Sequence, residues 1–137
     1  IEWGDDLNLD SEKVLTNDRS NPVFVYGYPL EVKPFYVKED PERQGIALTA
    51  DLLLPNGFGE VSSGGMREEN IALLKTRIKK EGLDMNSYSW YLDLRKYGSV
   101  PHGGFGLGIE RLVRWIINLE DIKECVLFPR TMARLSP

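Results

Sequence analysis

The stretch GGFGLGIERLVRW, residues 103–115, carries glycines at every second position, Gly104, Gly106 and Gly108, followed by Glu110, Arg111 and an apolar run. A dinucleotide fingerprint needs G-x-G-x-x-G on a tight turn between strand and helix. This spacing does not fit it. A period of two is that of a β-strand, so the three glycines fall on one face of a strand. Such a face is flat backbone that a planar ligand or another chain can approach closely. The segment Glu110 to Leu119 reads as a helix with Leu112, Val113, Ile116 and Ile117 on one side. Arg111 therefore stands at a strand-to-helix junction. The alternative is that the glycines only relieve crowding where helix and strand pack.

Working outward, IEWGDDLNLDSEKVLTNDRS is acidic, with a short helix expected from Ser11. A strand follows at Val23 to Tyr26, and EVKPFYV reads as extended but interrupted at Pro34. IALTADLLL and GEVSSGG read as the arms of a hairpin turning at Asn56-Gly57. A helix is expected from Arg67 or Glu68 to Glu81, ended by Gly82. A second spans Tyr88 to Tyr97. The glycine strand, its helix, a short strand CVLF and an extended tail complete the chain. Hairpins outnumber βαβ units, so the fold class is α+β, an antiparallel sheet flanked by helices.

The 137 residues suffice for one domain with a core, and 42% hydrophobic and 28% charged residues are ordinary for a globular protein. A net charge of -4 argues against a surface that coats nucleic acid along the whole chain. Local contacts to a phosphate backbone by Lys79, Lys80 or Arg134 remain possible. Cys125 is the single cysteine, so no intrachain disulfide can form, and a buried strand thiol is expected there. No apolar run approaches a membrane span and no signal peptide is visible, so the expected compartment is the cytoplasm. The start without Met suggests a fragment or a processed product.

The hairpin carries the second signal. Asp51 on its first arm and Glu60 on its second are expected roughly opposite each other, where two carboxylates repel unless a cation lies between them. Mg²⁺ suits one or two carboxylates plus substrate phosphates, and Ser63 could add a hydroxyl oxygen. Solvated hairpin charges are the plainer alternative. Arg67, after SSGG, could make a bidentate bond to a carboxylate or amide oxygen, or pair on a helix surface with Glu68 or Glu69. His102 is the only histidine. It has no companions for a zinc site, and it either lines a pocket or sits on a surface loop. The aromatics are mostly core, with Tyr36, Trp90 and Tyr91 as possible pocket residues. No serine has a G-x-S-x-G setting.

Together these segments resemble the class II aminoacyl-tRNA synthetases. The run from Gly104 to Arg111 matches their third signature motif, G-x-G-x-G-x-E-R, in full. YPLEVKPFY, the Asp51 hairpin through GEVSSGGMRE, YLDLRKYGSVPHGGFGLGIERL and FPRTMARLSP look like the aspartyl and asparaginyl branch. WYLDLRKYGSVPHGGFGLG, the TADLLLP hairpin and the IEWGDD opening look like its asparaginyl members, whereas SSGG resembles archaeal-type aspartyl enzymes.

The resemblance implies roles. Arg111 would hold the adenine and γ-phosphate end of ATP, over a platform made by Gly104, Gly106 and Gly108. Glu60, with Asp51 and Ser63, would hold Mg²⁺ on the phosphates. Arg67, with His102 nearby, would bind the side chain of asparagine or aspartate. tRNA would be the acyl acceptor, and the parent a homodimer. Residues 1–137 would be the C-terminal portion of the catalytic domain, without the family's first two motifs and its anticodon-binding domain, and inactive alone. The alternatives are an aspartyl-tRNA synthetase, a tRNA-independent ligase that amidates aspartate, and a non-catalytic nucleotide-binding module.

Overall fold

The computed structural model describes residues 2–134. Four strands, β1 (Val23–Tyr26), β2 (Thr49–Leu54), β3 (Gly59–Met66) and β4 (Gly103–Leu107), form one antiparallel sheet in chain order. The helices are α1 (Leu9–Thr16), α2 (Ile71–Lys80), α3 (Ser89–Lys96) and α4 (Ile109–Ile116). This is the α+β arrangement expected from the sequence. Among the described residues the chain divides into two compact units. One takes residues 2–7, Tyr26–Ala50 and Gly64–Phe105, the other Asn8–Val25, Asp51–Ser63 and residues 106–134.

In the first unit the core is Phe35, Leu74, Ile78 and Leu92, flanked by Tyr36, Ile71, Leu83, Met85, Tyr88 and Tyr91. Each fully buried aliphatic or aromatic side chain stabilises the fold by about 1.5–3 kcal/mol. The helix expected from Arg67 begins instead at Ile71. The Asn70 side chain accepts from the N–H groups of Ala72 and Leu73, at 2.9 and 3.3 Å, and so fixes the first turn there. Arg67 is left extended, in a bridge with Val37. Gly82, at φ 68°, ends α2 as its position in the sequence suggested. EVKPFYV is less extended than expected. A 3-10 turn covers Leu30–Val32, and isolated bridges join Pro29 to Ile46 and Glu39 to Ala47. Prolines at 29 and 34 prevent a continuous ladder. Arg77 supplies donors to this irregular backbone, reaching the carbonyls of Val37 (2.8 Å), Lys33 (2.9 Å) and Leu30 (3.2 Å).

In the second unit α1 starts two residues before Ser11, because Asn8 accepts the Ser11 N–H at 2.9 Å. At its other end Thr16 is fully buried, and its carbonyl accepts the N–H of Asn56 at 3.1 Å. The β2–β3 turn, residues 55–58, thus sits on the end of α1, with Asn56 and Gly57 at φ 56° and 72°. Helix α4 stops at Ile116, three residues short of expectation, and Asn118 follows at φ 53°. Its supposed core side is covered only in part: Leu112 and Val113 are half-buried, but Ile116 is 65% and Ile117 57% exposed. CVLF is not a strand. Asp121 caps a 3-10 turn over Ile122–Cys125, and the Cys125 thiol is free and half-buried. The tail turns back at a Thr131–Arg134 bridge rather than extending, and residues 135–137 lie outside the described residues. No helix among the described residues is long and apolar enough to cross a membrane.

The approach of β3 to β4 is tight at Gly64. A Cβ there would lie 2.5 Å from the Phe105 Cβ and 2.7 Å from the Gly104 carbonyl oxygen. Gly64→Ala is expected to lower the stability by about 1–3 kcal/mol, since neither backbone nor a Cβ can swing aside. Urea unfolding of the two proteins measures this.

Candidate active site

In the second unit the β2–β3 register is set by the turn seated on α1. It places Asp51 opposite Ser63 and not opposite Glu60, contrary to the sequence expectation. The turn covers residues 55–58, about Asn56-Gly57 as expected, and a turn so placed sets Glu60 opposite the end of β2, nearer the turn than Asp51. Asp51 is buried, and Ser63 Oγ donates to its Oδ1 at 2.5 Å. A hydroxyl whose proton goes to a carboxylate keeps its lone pairs available to a cation. Glu60 is half-buried, and its backbone carbonyl accepts from Nη1 of Arg111.

Glu60, Val61, Ser63, Gly106, Leu107, Gly108 and Arg111 line one open groove of about 320 Å³. The pairing is fixed by backbone: the Gly108 N–H donates to the Val61 carbonyl at 2.9 Å, and Ser62 Oγ donates to the Gly106 carbonyl at 2.8 Å. A Cβ at Gly108 would meet the stem of Arg111 at 3.2 Å, whereas one at Gly106 would meet nothing within 4 Å. Gly106 is therefore open platform, and Gly108 is the space over which the arginine folds. Among the described residues no three His, Cys, Asp or Glu side chains gather as a metal site. A cation here would have to complete its shell with water or ligand oxygens, which is the habit of Mg²⁺.

In the first unit Arg67 continues the line of β3 beyond Met66. Its N–H donates to the His102 carbonyl at 2.9 Å, and the next N–H, of Glu68, donates to the Tyr36 carbonyl at 2.9 Å. The guanidinium lies 4.6 Å from the centre of the Tyr36 ring. A Cβ at Gly104 would come within 3.2 Å of Arg67 Nη2, so the first glycine leaves room for this second arginine. The Lys38 ammonium, hydrogen-bonded to Glu69, holds the Glu69 carboxyl below its usual pKa and pins the same segment. His102 acts here through its carbonyl. Its ring is exposed, with Nδ1 2.8 Å from the Val100 carbonyl. Of the aromatics, Tyr36 and Tyr91 are half-buried in this unit, whereas Trp90 is 63% exposed. Sequence reading missed Arg95, which is buried against the carbonyl of Glu68. An arginine in a charged helical stretch gives no sign that its helix face turns inward.

The model of the class II tRNA synthetases (D, K and N) matches residues 3–132. The chain belongs to this family. The asparagine–tRNA ligase of Pyrococcus abyssi is 57% identical over 137 residues, all of this chain and 32% of that protein. The crystal structure of asparaginyl-tRNA synthetase from Pyrococcus horikoshii complexed with asparaginyl-adenylate matches at TM-score 0.95 and 55% identity, over 100% of this chain and 32% of the other. The aspartyl-tRNA synthetase of Entamoeba histolytica matches at TM-score 0.86 but only 27% identity, over 97% of this chain and 28% of the other. The class II chain thus spans about a third of the curated relatives it matches.

Ser63→Ala removes a charge-assisted donor from the buried Asp51 carboxylate. It is expected to cost about 1–3 kcal/mol of stability, read by chemical denaturation, and Ser63→Thr should restore most of it.

Proposed function

We propose that the chain is the C-terminal portion of the catalytic domain of an enzyme that activates asparagine with ATP and transfers it to tRNA. The observation that carries this reading is the groove in which Arg111, folded over Gly108 and bonded to the Glu60 carbonyl, borders the bare face of Gly106. A planar base can lie on such a platform, with a guanidinium beside it to meet phosphate charge. Asparagine is favoured over aspartate by the much higher identity to asparaginyl than to aspartyl relatives.

In this reading the carboxylate of asparagine attacks the α-phosphorus of ATP. Pyrophosphate leaves, and asparaginyl-adenylate remains. The terminal ribose hydroxyl of tRNA then takes the acyl group and AMP leaves. No protein nucleophile is needed; alignment and charge neutralisation carry both steps. Arg111 holds the nucleotide. Arg67 binds the side-chain oxygen of asparagine, with His102 as a neighbour through its backbone.

The donor set fits Mg²⁺: Glu60 and Ser63, a carboxylate and a hydroxyl residue, line the groove, and Asp51 accepts from Ser63. When bound, the ion neutralises phosphate charge. We take the parent to be a cytoplasmic homodimer. The share of the relatives covered and the open apolar residues Phe105, Ile109 and Ile116 support a larger folded context.

The test is amino-acid-dependent ATP–pyrophosphate exchange by the full-length protein. Exchange is expected with asparagine and not with aspartate, and Arg111→Ala should lower it about 100-fold or more. Exchange with aspartate alone would transfer the chain to the aspartate-activating reading. The isolated 137-residue chain is expected to give no exchange, and measurable exchange by it would refute the partial-domain reading.

A further inference from the structure

Arg95, on α3, is 8% exposed, and among the described residues it forms no ion pair. Its donors go to neutral oxygens. Nε bonds the Glu68 carbonyl at 3.1 Å, Nη2 the Tyr91 hydroxyl at 2.7 Å and Nη1 the Tyr91 carbonyl at 3.4 Å. Its guanidinium carbon lies 4.0 Å from the centre of the Tyr91 ring. A buried cation without a carboxylate is a poor way to stabilise a core, since an apolar side chain of similar volume does as well or better. Packing therefore does not explain it.

Its position does. The Glu68 carbonyl follows Arg67 directly in the chain, and the backbone here is gripped from three sides. His102 takes the Arg67 N–H, Tyr36 takes the Glu68 N–H and Arg95 supplies the donor to the Glu68 carbonyl. The side chains repeat the connection. Arg67 lies over Tyr36, the Tyr36 and Tyr91 rings meet edge to face at 6.4 Å, and Arg95 lies over Tyr91. A guanidinium thus stands at each end of a pair of touching rings.

We propose that Arg95 is a positioning residue for Arg67. Through the Glu68 carbonyl and the Tyr91–Tyr36 pair it fixes the angle at which Arg67 meets the side-chain oxygen of the amino-acid substrate. The inference rests on the reading of Arg67 as the group that binds that oxygen. A planar fork loses hydrogen-bond strength steeply with misalignment, so a small tilt is felt in amino-acid binding. The nucleotide does not depend on this angle.

The experiment uses the full-length protein and separates the two Michaelis constants in ATP–pyrophosphate exchange. Tyr91→Phe removes only the hydroxyl that accepts from Arg95, and Arg95→Lys and Arg95→Met alter the clamp itself. Tyr91→Phe is expected to raise KM for asparagine about threefold, and the Arg95 variants about tenfold or more. KM for ATP should stay within about twofold in all three variants. Equal movement of both constants, or asparagine KM unchanged in all three variants while Arg67→Lys raises it, would overturn the proposal. If Arg67→Lys itself leaves asparagine KM unchanged, the premise about Arg67 fails and the role of Arg95 falls with it.

Discussion

The pairing of β3 with β4 is the constraint on which the rest depends. At Gly64 the two backbones are so close that no side-chain carbon fits between them. This closeness lets main-chain atoms do what side chains do elsewhere. The His102 carbonyl reaches the Arg67 N–H, and the Gly108 N–H reaches the Val61 carbonyl. Each bond holds backbone close to an arginine of the proposed site. A bulkier residue at 64 would loosen the ladder there.

The alternating glycines have a more specific use than a flat face. Gly104 leaves space for the guanidinium of Arg67, Gly108 leaves space for the stem of Arg111, and Gly106 is bare. Two arginines are thereby laid against neighbouring backbone, Arg67 half-buried and Arg111 exposed. An arginine held in this way loses little further side-chain freedom when a ligand arrives, and this is what catalysis by charge placement requires. The Ser63–Asp51 bond does the same for a hydroxyl, turning its lone pairs outward by occupying its proton.

Much of this was legible in the sequence, and the failures have physical causes. The strand assignment of the glycine run followed from its period, although the strand ends at Leu107 and Gly108 caps α4, and its antiparallel setting followed from the hairpin signals. Helix starts were misplaced where a capping asparagine, Asn8 or Asn70, outranked the apolar pattern. The Asp51–Glu60 pairing failed because a turn about Asn56-Gly57 sets Glu60 opposite the end of β2, while Asp51 meets Ser63. CVLF looked like a strand on composition alone, while the local Asp121 cap decided for a turn. The sequence left His102 between a pocket and a surface loop; its ring is exposed, and its carbonyl, which any residue would possess, accepts from Arg67. Arg95 was invisible because its burial depends on tertiary packing.

Among the described residues the buried polar side chains separate into two kinds. Those of Thr16, Asp40 and Glu68 bond locally, accepting or donating within a few residues of themselves. Asp51 and Arg95 instead bond to Ser63 and Glu68, residues distant in sequence that stand in or beside the proposed site. Burying such groups costs stability unless every donor and acceptor is met, so they stabilise the fold weakly at best. Their return is in direction: each holds one atom of a segment of the proposed site. The apolar packing of Leu74, Ile78 and Leu92 against Phe35 supplies the stability that makes this affordable. Helix α3 then serves both ends at once, with Leu92 facing the core and Arg95, one turn on, facing the backbone beside Arg67.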